Sequence, residues 1–580
     1  MERKWYIQYK KADFNRLARK FNIDPVTARL IRNRGAVTDA DFEKYLFGGI
    51  RDLYSPMSME GVPEAVEILR KKIKDRKPIR VIGDYDIDGV CAAFIMKEML
   101  TKAGAVADVD IPHRMTDGYG ISKRLISKAK KEGIDTIITC DNGIAAREAL
   151  LFAKEEDFTV IVTDHHEVPF IRDEDEISYI LPEADAVVDP KRETCSYPYK
   201  ELCGAAVAFK VGQALLEELK TEGRSELYRE LLCFCAFATV GDIMELTDEN
   251  RIIVKEGLRL FADIKNAGMR ALLSVNQLEL DKLNTYQIGF VAGPCVNAAG
   301  RLESAMSAYA LFNETDKNEA LKKALHLKAL NERRKEITQE GLAQAVAFAE
   351  EEKEAPIIFL YLKDIHESVA GIIAGKLKEL YNKPAFVLTD SGGLLKGAGR
   401  SIEAYSMFER LQECGSLFEK FGGHKMAAGF SLLPENFEKA KKFLISHCAL
   451  EPEDFIQKVY VDFQMPPSYI TRELIEETEL LAPFGNGNPP PLFAERNLKV
   501  EGFRRIGENK NVIAVEFSQN GKRIKGVSFR DADDLFTELK SNDTLTLAYR
   551  PQLNEYLGTV SVQLVVEYFD IRTQLGSNNN

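Results

Sequence analysis

The 580-residue sequence predicts an α/β protein of several domains: a parallel-sheet domain, a second α/β unit joined to it by a long helix, and a C-terminal β-barrel. Three observations carry this prediction. From residue 61 onward, short β-branched runs alternate with helix-period segments, the pattern of βαβ units around a parallel sheet buried on both faces. "LKALNERRKEITQEGLAQAVAFAEEEKEA" is long and highly charged, which suits a solvated connector helix. Near the C-terminus "NVIAVEFS", "RIKGVSF", "DTLTLAYR" and "TVSVQLVVEYF" are closely spaced strands of the kind that close into a small barrel.

At about 150 residues per domain, this length predicts about four units. Residues 1–60 read as helical pieces, "FNRLARKF" and "VTDADFEKYL", the second capped by Thr38. Residues 61–260 carry the strands "IRVIGD", "DTIITCDNG", "TVIVTDHH" and "DAVVDP", separated by helices such as "SKRLISKAKKEG" and "AAREALLFAKEE". Residues 261–350 form the helical connector. The second α/β unit, 351–450, has "PIIFLYL" and "PAFVLTD" as strands, and 451–575 hold the linker "LAPFGNGNPPPLF" and then the barrel.

Composition narrows the class of function. The longest apolar run, "LLCFCAFATV", is too short to cross a bilayer, so no membrane partner is expected. Nine cysteines without a CxxC pair read as buried thiols of a cytoplasmic protein rather than a disulfide framework or a zinc site. A net charge of −12 argues against wrapping a polyanion, unless basic residues are concentrated locally.

Three apolar strands end in acids: one before Asp84, Asp86 and Asp88, one before Asp141, and one before Asp164, His165 and His166. In an open parallel sheet, ligands bind beyond the carboxyl ends of the strands, so these clusters converge on one crevice. Carboxylates brought together repel unless a cation holds them. Mixed carboxylate and imidazole ligation suits manganese better than calcium, with magnesium as the second choice. "DYDIDG" also opens like an EF-hand loop, but its twelfth residue is Ile95 where that loop needs glutamate, and a strand precedes it. Helix capping accounts for one aspartate in each cluster, not for three clusters at three strand ends. Asp242, after Gly241 at the end of an apolar run, is a weak signal alone.

"GDYDIDG", "CDNG", "TDHHE" and "VGD", in this order, resemble the signature motifs of the DHH phosphoesterase superfamily. "IPHRMTDGYG", "VNAAGRLESA", "HESVAGIIAGKL", "GAGRSIE" and "FGGHKMAAG" are similar to the RecJ single-strand-specific 5′ exonucleases, whose β-rich end is an OB-fold. The resemblance implies a two-metal centre with Asp84, Asp86, Asp141, His165 and Asp242 as ligands and Asp141 bridging. His166 would face the scissile phosphate, with Asp88, Asn142 and Asp164 behind the ligands. It also implies metal-assisted hydrolysis of single-stranded DNA to 5′ mononucleotides in repair and recombination, without an organic cofactor. A helicase and a single-strand-binding protein would be partners.

For substrate, the resemblance places Arg114 and Arg301 at the terminal 5′ phosphate, since arginine suits bidentate phosphate recognition. Arg400, Ser401, His424 and His366 are further contact candidates. "GAGRSIE" and "FGGHKMAAG" read as glycine turns running into helices, a geometry that receives anions. Ser368 and Ile365 depart from the pattern of many relatives around His366-Glu367. Between Arg496 and Arg530 nine basic residues stand against three acidic ones, a window of +6 interleaved with Phe503, Phe517 and Phe529. Such a groove suits a stacked single strand, although phenylalanines in short strands mostly face a core, so one exposed ring of the three is expected. A phosphodiesterase for short oligonucleotides or cyclic dinucleotides, an inactive nucleic-acid-binding scaffold, and an RNA target are the alternatives.

Overall fold

The computed structural model describes residues 3–173, 176–529, 535–537, 539, 544–556 and 558–570. They fall into two compact units. One comprises residues 54–244 and 253–457; the other comprises 2–53, 245–252 and 458–580.

In the first unit, five strands form a parallel sheet: β1 (Pro78–Ile82), β2 (Val106–Asp110), β3 (Thr136–Cys140), β4 (Thr159–Thr163) and β5 (Ala186–Val188). Their order is β2-β1-β3-β4-β5. The order reverses between β1 and β3, so the crevice beyond those two strand ends is the topological switch point where ligands of such sheets bind. All five residues of β3 are buried. β2 has no counterpart in the sequence reading, because it is an edge strand whose "VADVD" alternates aspartate with apolar residues. Helix α1 (Ile87–Lys102) follows β1 directly, and twelve of its sixteen residues are buried, so it is enclosed rather than amphipathic. Helices α2 (Gly204–Glu218) and α3 (Arg224–Gly241) pack against it. Helix α4 (Gly293–Leu302) leads toward α5 (Lys317–Glu351), the expected connector. α5 is not solvated all round: Ala320, Ala324, Leu327, Asn331, Ala345 and Ala349 form a buried stripe at helical spacing.

The second sheet of this unit has strands β6 (Ile358–Tyr361), β7 (Ala385–Ser391), β8 (Leu394–Arg400), β9 (Lys420–His424) and β10 (Ala427–Leu432), with helix α6 (Ala370–Tyr381) between β6 and β7. The order is β9-β10-β8-β7-β6. Here the structure corrects the reading of the glycine segments. "GAGR" lies inside β8 and "FGGHKMAAG" is the β9-β10 hairpin, so neither runs into a helix. The glycines make room for neighbours instead. A Cβ on Gly397 would meet the Phe430 ring at 2.5 Å, and one on Gly399 would meet Met407 Sδ at 2.2 Å.

In the second unit, β11 (Phe463–Gln464) joins the first of five longer strands: β12 (Phe493–Ile506), β13 (Val512–Gln519), β14 (Lys522–Ser528), β15 (Thr544–Tyr556) and β16 (Thr559–Asp570). The five run β12-β13-β14-β16-β15, and β15 pairs back onto β12, closing the barrel. The first residues are not purely helical, since Arg3–Ile7 is a strand paired with Gln457–Val461. The next three helices share the barrel's core through Leu17, Leu30, Ile31 and Phe42. Thr38 caps the third of them in a reciprocal box with Asp41. "LAPFGNGNPPPLF" is a packed turn rather than a loose linker. The Asn488 amide donates to the carbonyls of Leu481 and Pro483 and accepts from the Tyr45 hydroxyl. Arg251 lies 3.9 Å over the Tyr45 ring and donates to the carbonyls of Leu480 and Leu481. Of the three interleaved phenylalanines, Phe517 is in the core, Phe503 packs against it, and Phe529 is 61% exposed. Arg530 of the basic window lies outside the described residues.

Candidate metal centre

The three strand-end clusters meet. Ligand atoms of Asp84, Asp86 and Asp141 lie within 4.8 Å of one another, as do those of Asp88, His165 and Asp242, and those of Asp141, His165 and His166. Each arrives by a short backbone route. Asp84 follows β1, and its carboxylate accepts from the Gly120 N–H at 3.2 Å. Asp86 is the N-cap of α1, accepting from the N–H groups of Asp88 and Gly89. Asp141 leaves β3 with φ of 64°, a left-handed conformation uncommon outside glycine. Asp242 caps the C-terminus of α3, and Ile243 beside it is also left-handed, at 58°.

Two glycines are required for this approach. A Cβ on Gly89 would stand 2.3 Å from the Asp84 nitrogen, and one on Gly204 would stand 2.5 Å from Asp141 Cβ. The start of α2 is thereby pressed against the centre, where the Gly204 and Ala205 N–H groups donate to Asp88 at 2.6 and 2.8 Å. Asp88 is therefore both anchored by a helix N-terminus and within ligand distance of His165 and Asp242, closer in than the sequence reading placed it.

The electrostatics point to a missing cation. Burial first, then the neighbouring aspartates, push the carboxyls of Asp84, Asp141 and Asp242 well above their usual range and Asp88 up to about 6. Burial and the adjacent His166 push His165 down to about 3, so its imidazole is neutral, the state that ligates metals. His165 Nε2 stands 3.0 Å from Asp141 Oδ1, an oxygen that is buried without a hydrogen-bond partner. The donor set of carboxylates and neutral imidazole, with that orphaned oxygen, fits divalent cations.

The surrounding shell orients the ligands. Burial opposes a charge on His166, but its 2.7 Å bond to Asp164 outweighs this and raises it to about 9. Asp164 also accepts from the N–H groups of Ile144 and His165. The Asn142 amide donates to the carbonyls of Ile82 and Cys140, tying the ends of β1 and β3 together. Tyr119, which the sequence reading did not single out, donates its hydroxyl to the Asp141 carbonyl at 3.2 Å and lies 3.1 Å from His166 Nδ1. Its only signal was its place in "IPHRMTDGYG".

Comparisons with known proteins agree with this geometry. Residues 78–239 match the DHH family N-terminal domain, 354–449 the DHHA1 domain and 461–568 the RecJ OB domain. The single-stranded-DNA-specific exonuclease RecJ of Haemophilus influenzae is 31% identical over 94% of this chain and 96% of its own length. The chain belongs to the RecJ family. The Bacillus subtilis RecJ is 33% identical over 97% of this chain and 70% of its own. The structure of Thermus thermophilus RecJ in complex with Mn2+ matches with a TM-score of 0.84 at 26% identity, covering 99% of this chain and 80% of that one. Its complex with Mg2+ matches at 0.79.

In this RecJ-family chain a second constellation, of arginines, adjoins the acids. Burial, then the charges of Arg114, Arg334 and Arg400, push Arg301 down to about 10, and Asp86 acts on it in the opposite direction. Arg114 lies 4.8 Å over the Tyr85 ring, and Arg301 donates to the Ser368 carbonyl at 2.7 Å. Among the described residues, no carboxylate is in salt-bridge contact with any of the four. Arg334, from α5, was missed by the sequence reading because a charged helix gives no sign of which residue turns inward; its Nε is buried without a partner. His366 caps the short turn that presents Ser368, with Nδ1 2.7 Å from Ser368 Oγ, so it holds the carbonyl that Arg301 uses. The side chain of Ser401 is committed elsewhere: it is buried, and its hydroxyl donates to the Tyr405 carbonyl at 2.6 Å. His424 is exposed at the end of β9 and belongs to none of the three ligand groups.

Proposed function

We propose that this chain is a metal-dependent exonuclease that removes 5′ mononucleotides from single-stranded DNA. The observation that supports it most is the juxtaposition of a buried acid cluster with four arginines that have no carboxylate partner. One collects cations and the other a phosphate dianion, and Asp86 and Arg301 sense each other across the short gap. A phosphate held by Arg301 and Arg114 sets the strand end, and the next phosphodiester falls to the acids, which gives a 5′ polarity. The relatives named as single-stranded-DNA-specific exonucleases supply the substrate class.

Asp84, Asp86, Asp141, His165 and Asp242 would hold two divalent ions, manganese first and magnesium second, with Asp141 shared. When bound, such ions supply Lewis-acid polarisation of a phosphoryl oxygen and lower the pKa of water. The chain's own residues do the positioning. Asp164 fixes the His166 imidazolium, which donates to the phosphoryl oxygen as charge builds there. Tyr119 holds both His166 and the Asp141 backbone in place. His424, on its hairpin, would contribute a further hydrogen bond to the phosphate. The nine cysteines, all free, suit a cytoplasmic enzyme in DNA repair and recombination, supplied by a helicase and a single-strand-binding protein. No helix among the described residues is long and apolar enough to cross a membrane.

The test is degradation of a single strand labelled at either end, with manganese or EDTA, by wild type and Asp141→Ala. Metal-dependent release of mononucleotides from the 5′ end, lost in the variant, is the expected result. A wild type that binds the strand and leaves it intact under every metal would sink the proposal in favour of a binding scaffold.

A further inference from the structure

The segment from Thr285 to Leu302 is one continuous helical stretch with a π-turn, Ile288–Ala292, in its middle. Pro294 accounts for the widening. It has no N–H to offer and its ring crowds the carbonyl four residues back, so the Gly293 N–H reaches to the Ile288 carbonyl instead. The widened turn is fitted against the metal centre. A Cβ on Gly293 would meet the Ile87 side chain at 3.0 Å, and the Asn297 amide oxygen accepts from the Ile87 N–H at 2.8 Å, within the "DYDIDG" loop itself. Arg301 sits at the far end of the stretch.

At the near end, two aromatic rings face solvent. Tyr286 and Phe290, one helical turn apart, are 66% and 68% exposed and stack with centroids 4.9 Å apart and planes inclined by 28°. Ile243, which directly follows Asp242, is 72% exposed. The π-turn packs on α3, where Gly289 lies near Val240. Three large apolar side chains in the open, two of them next to strained backbone and one chain position from a ligand aspartate, are not surface noise.

We propose that Tyr286 and Phe290, with Ile243, form a stacking platform for bases of the single strand on the 3′ side of the scissile phosphate. This rests on the exonuclease reading above. The direction follows from the layout. Arg301 gathers the terminal phosphate at one end of the helical stretch, the "DYDIDG" loop touches its middle, and Phe290 lies about 16 Å away from Arg301 along the axis. A strand that starts at the arginines and crosses the acids reaches the rings next. Stacked aromatics accept any base, because every base has a π face, so the platform grips the strand without reading sequence. It places a base-dependent contact inside the catalytic unit itself, separate from the barrel.

The test is binding of a short, labelled, 5′-phosphorylated oligothymidylate to the full chain in EDTA, against an oligonucleotide of equal length that is abasic beyond its first nucleotide. Wild type, Phe290→Ala, Tyr286→Ala/Phe290→Ala and Phe290→Trp are compared, with a thermal melt of each. The preference for bases falls roughly tenfold in the double variant, is restored in Phe290→Trp, and the melts coincide. An unchanged preference in the double variant, or equal weakening toward both oligonucleotides, overturns the proposal. If wild type shows the base preference but hydrolyses no strand with manganese, the exonuclease reading fails and the platform stands.

Discussion

Gly204→Ala tests whether the close approach of α2 sets the position of Asp141. The added Cβ would stand 2.5 Å from Asp141 Cβ, 2.8 Å from Oδ1 and 2.9 Å from Cα. Carbon atoms rest at about 3.5–4.0 Å, so Asp141 or the helix must retreat by about 1 Å. Asp141 cannot rotate away, because its backbone is already in the left-handed region and its carbonyl is held by Tyr119. A misplacement of about 1 Å at a reacting centre lowers the rate about 100-fold, and overpacking costs about 1–3 kcal/mol of stability. Gly212→Ala, two turns along the same helix, is the control. Its Cβ would meet Met99 Cγ at 2.5 Å, a flexible side chain remote from the acids. The assay is kcat/KM on a 5′-labelled single strand with manganese, beside a thermal melt. Gly204→Ala loses about 100-fold in activity while Gly212→Ala stays within about threefold at a similar shift in melting. Gly204→Ala retaining activity like the control would refute the reasoning.

Three further outcomes follow from the same geometry. Asp164→Asn removes the partner that raises His166 to about 9, so the imidazolium is lost at lower pH and the alkaline limb of the kcat profile moves toward acid; an unmoved limb would contradict the role given to His166. Arg334→Gln lowers the preference for a 5′-phosphorylated over a 5′-hydroxyl strand by roughly tenfold with kcat unchanged, measured as a ratio of KM values. Metal dependence of stability carries a definite sign. Carboxyls raised in the folded state bind more protons there than when unfolded, so metal-free stability falls as pH rises from about 3.9 through the folded values, about 6 for Asp88. Manganese removes that penalty. Its increment in Tm is larger at pH 8 than at pH 5, and a larger increment at pH 5 would show that the acids are not the ligands.

The parallel sheet and its acids were legible because β1, β3 and β4 are unbroken apolar runs that stop at aspartate, a signal that needs no tertiary context. Asp242 was weak for the opposite reason: a C-cap after a helix resembles any turn until α3 is packed against α1. The edge strand β2 was hidden by its alternating aspartates, and the glycines of β8 and β9 read as turns because the rings and sulfur they accommodate come from distant positions. Arg334 and Tyr119 depend on which way a side chain faces, which α5 and the "TDGYG" turn do not announce. The first fifty residues looked like a separate helical region, but their apolar faces belong to the barrel's core, a pairing across more than four hundred positions that periodicity does not encode.

The account turns on whether these acids are a metal centre. Anomalous diffraction at the manganese edge, from crystals of the full chain grown with that ion, tests this most directly. Two peaks are predicted, one among Asp84, Asp86 and Asp141 and one among Asp141, His165 and Asp242. Crystals that hold manganese elsewhere, or hold none between these side chains, would contradict it.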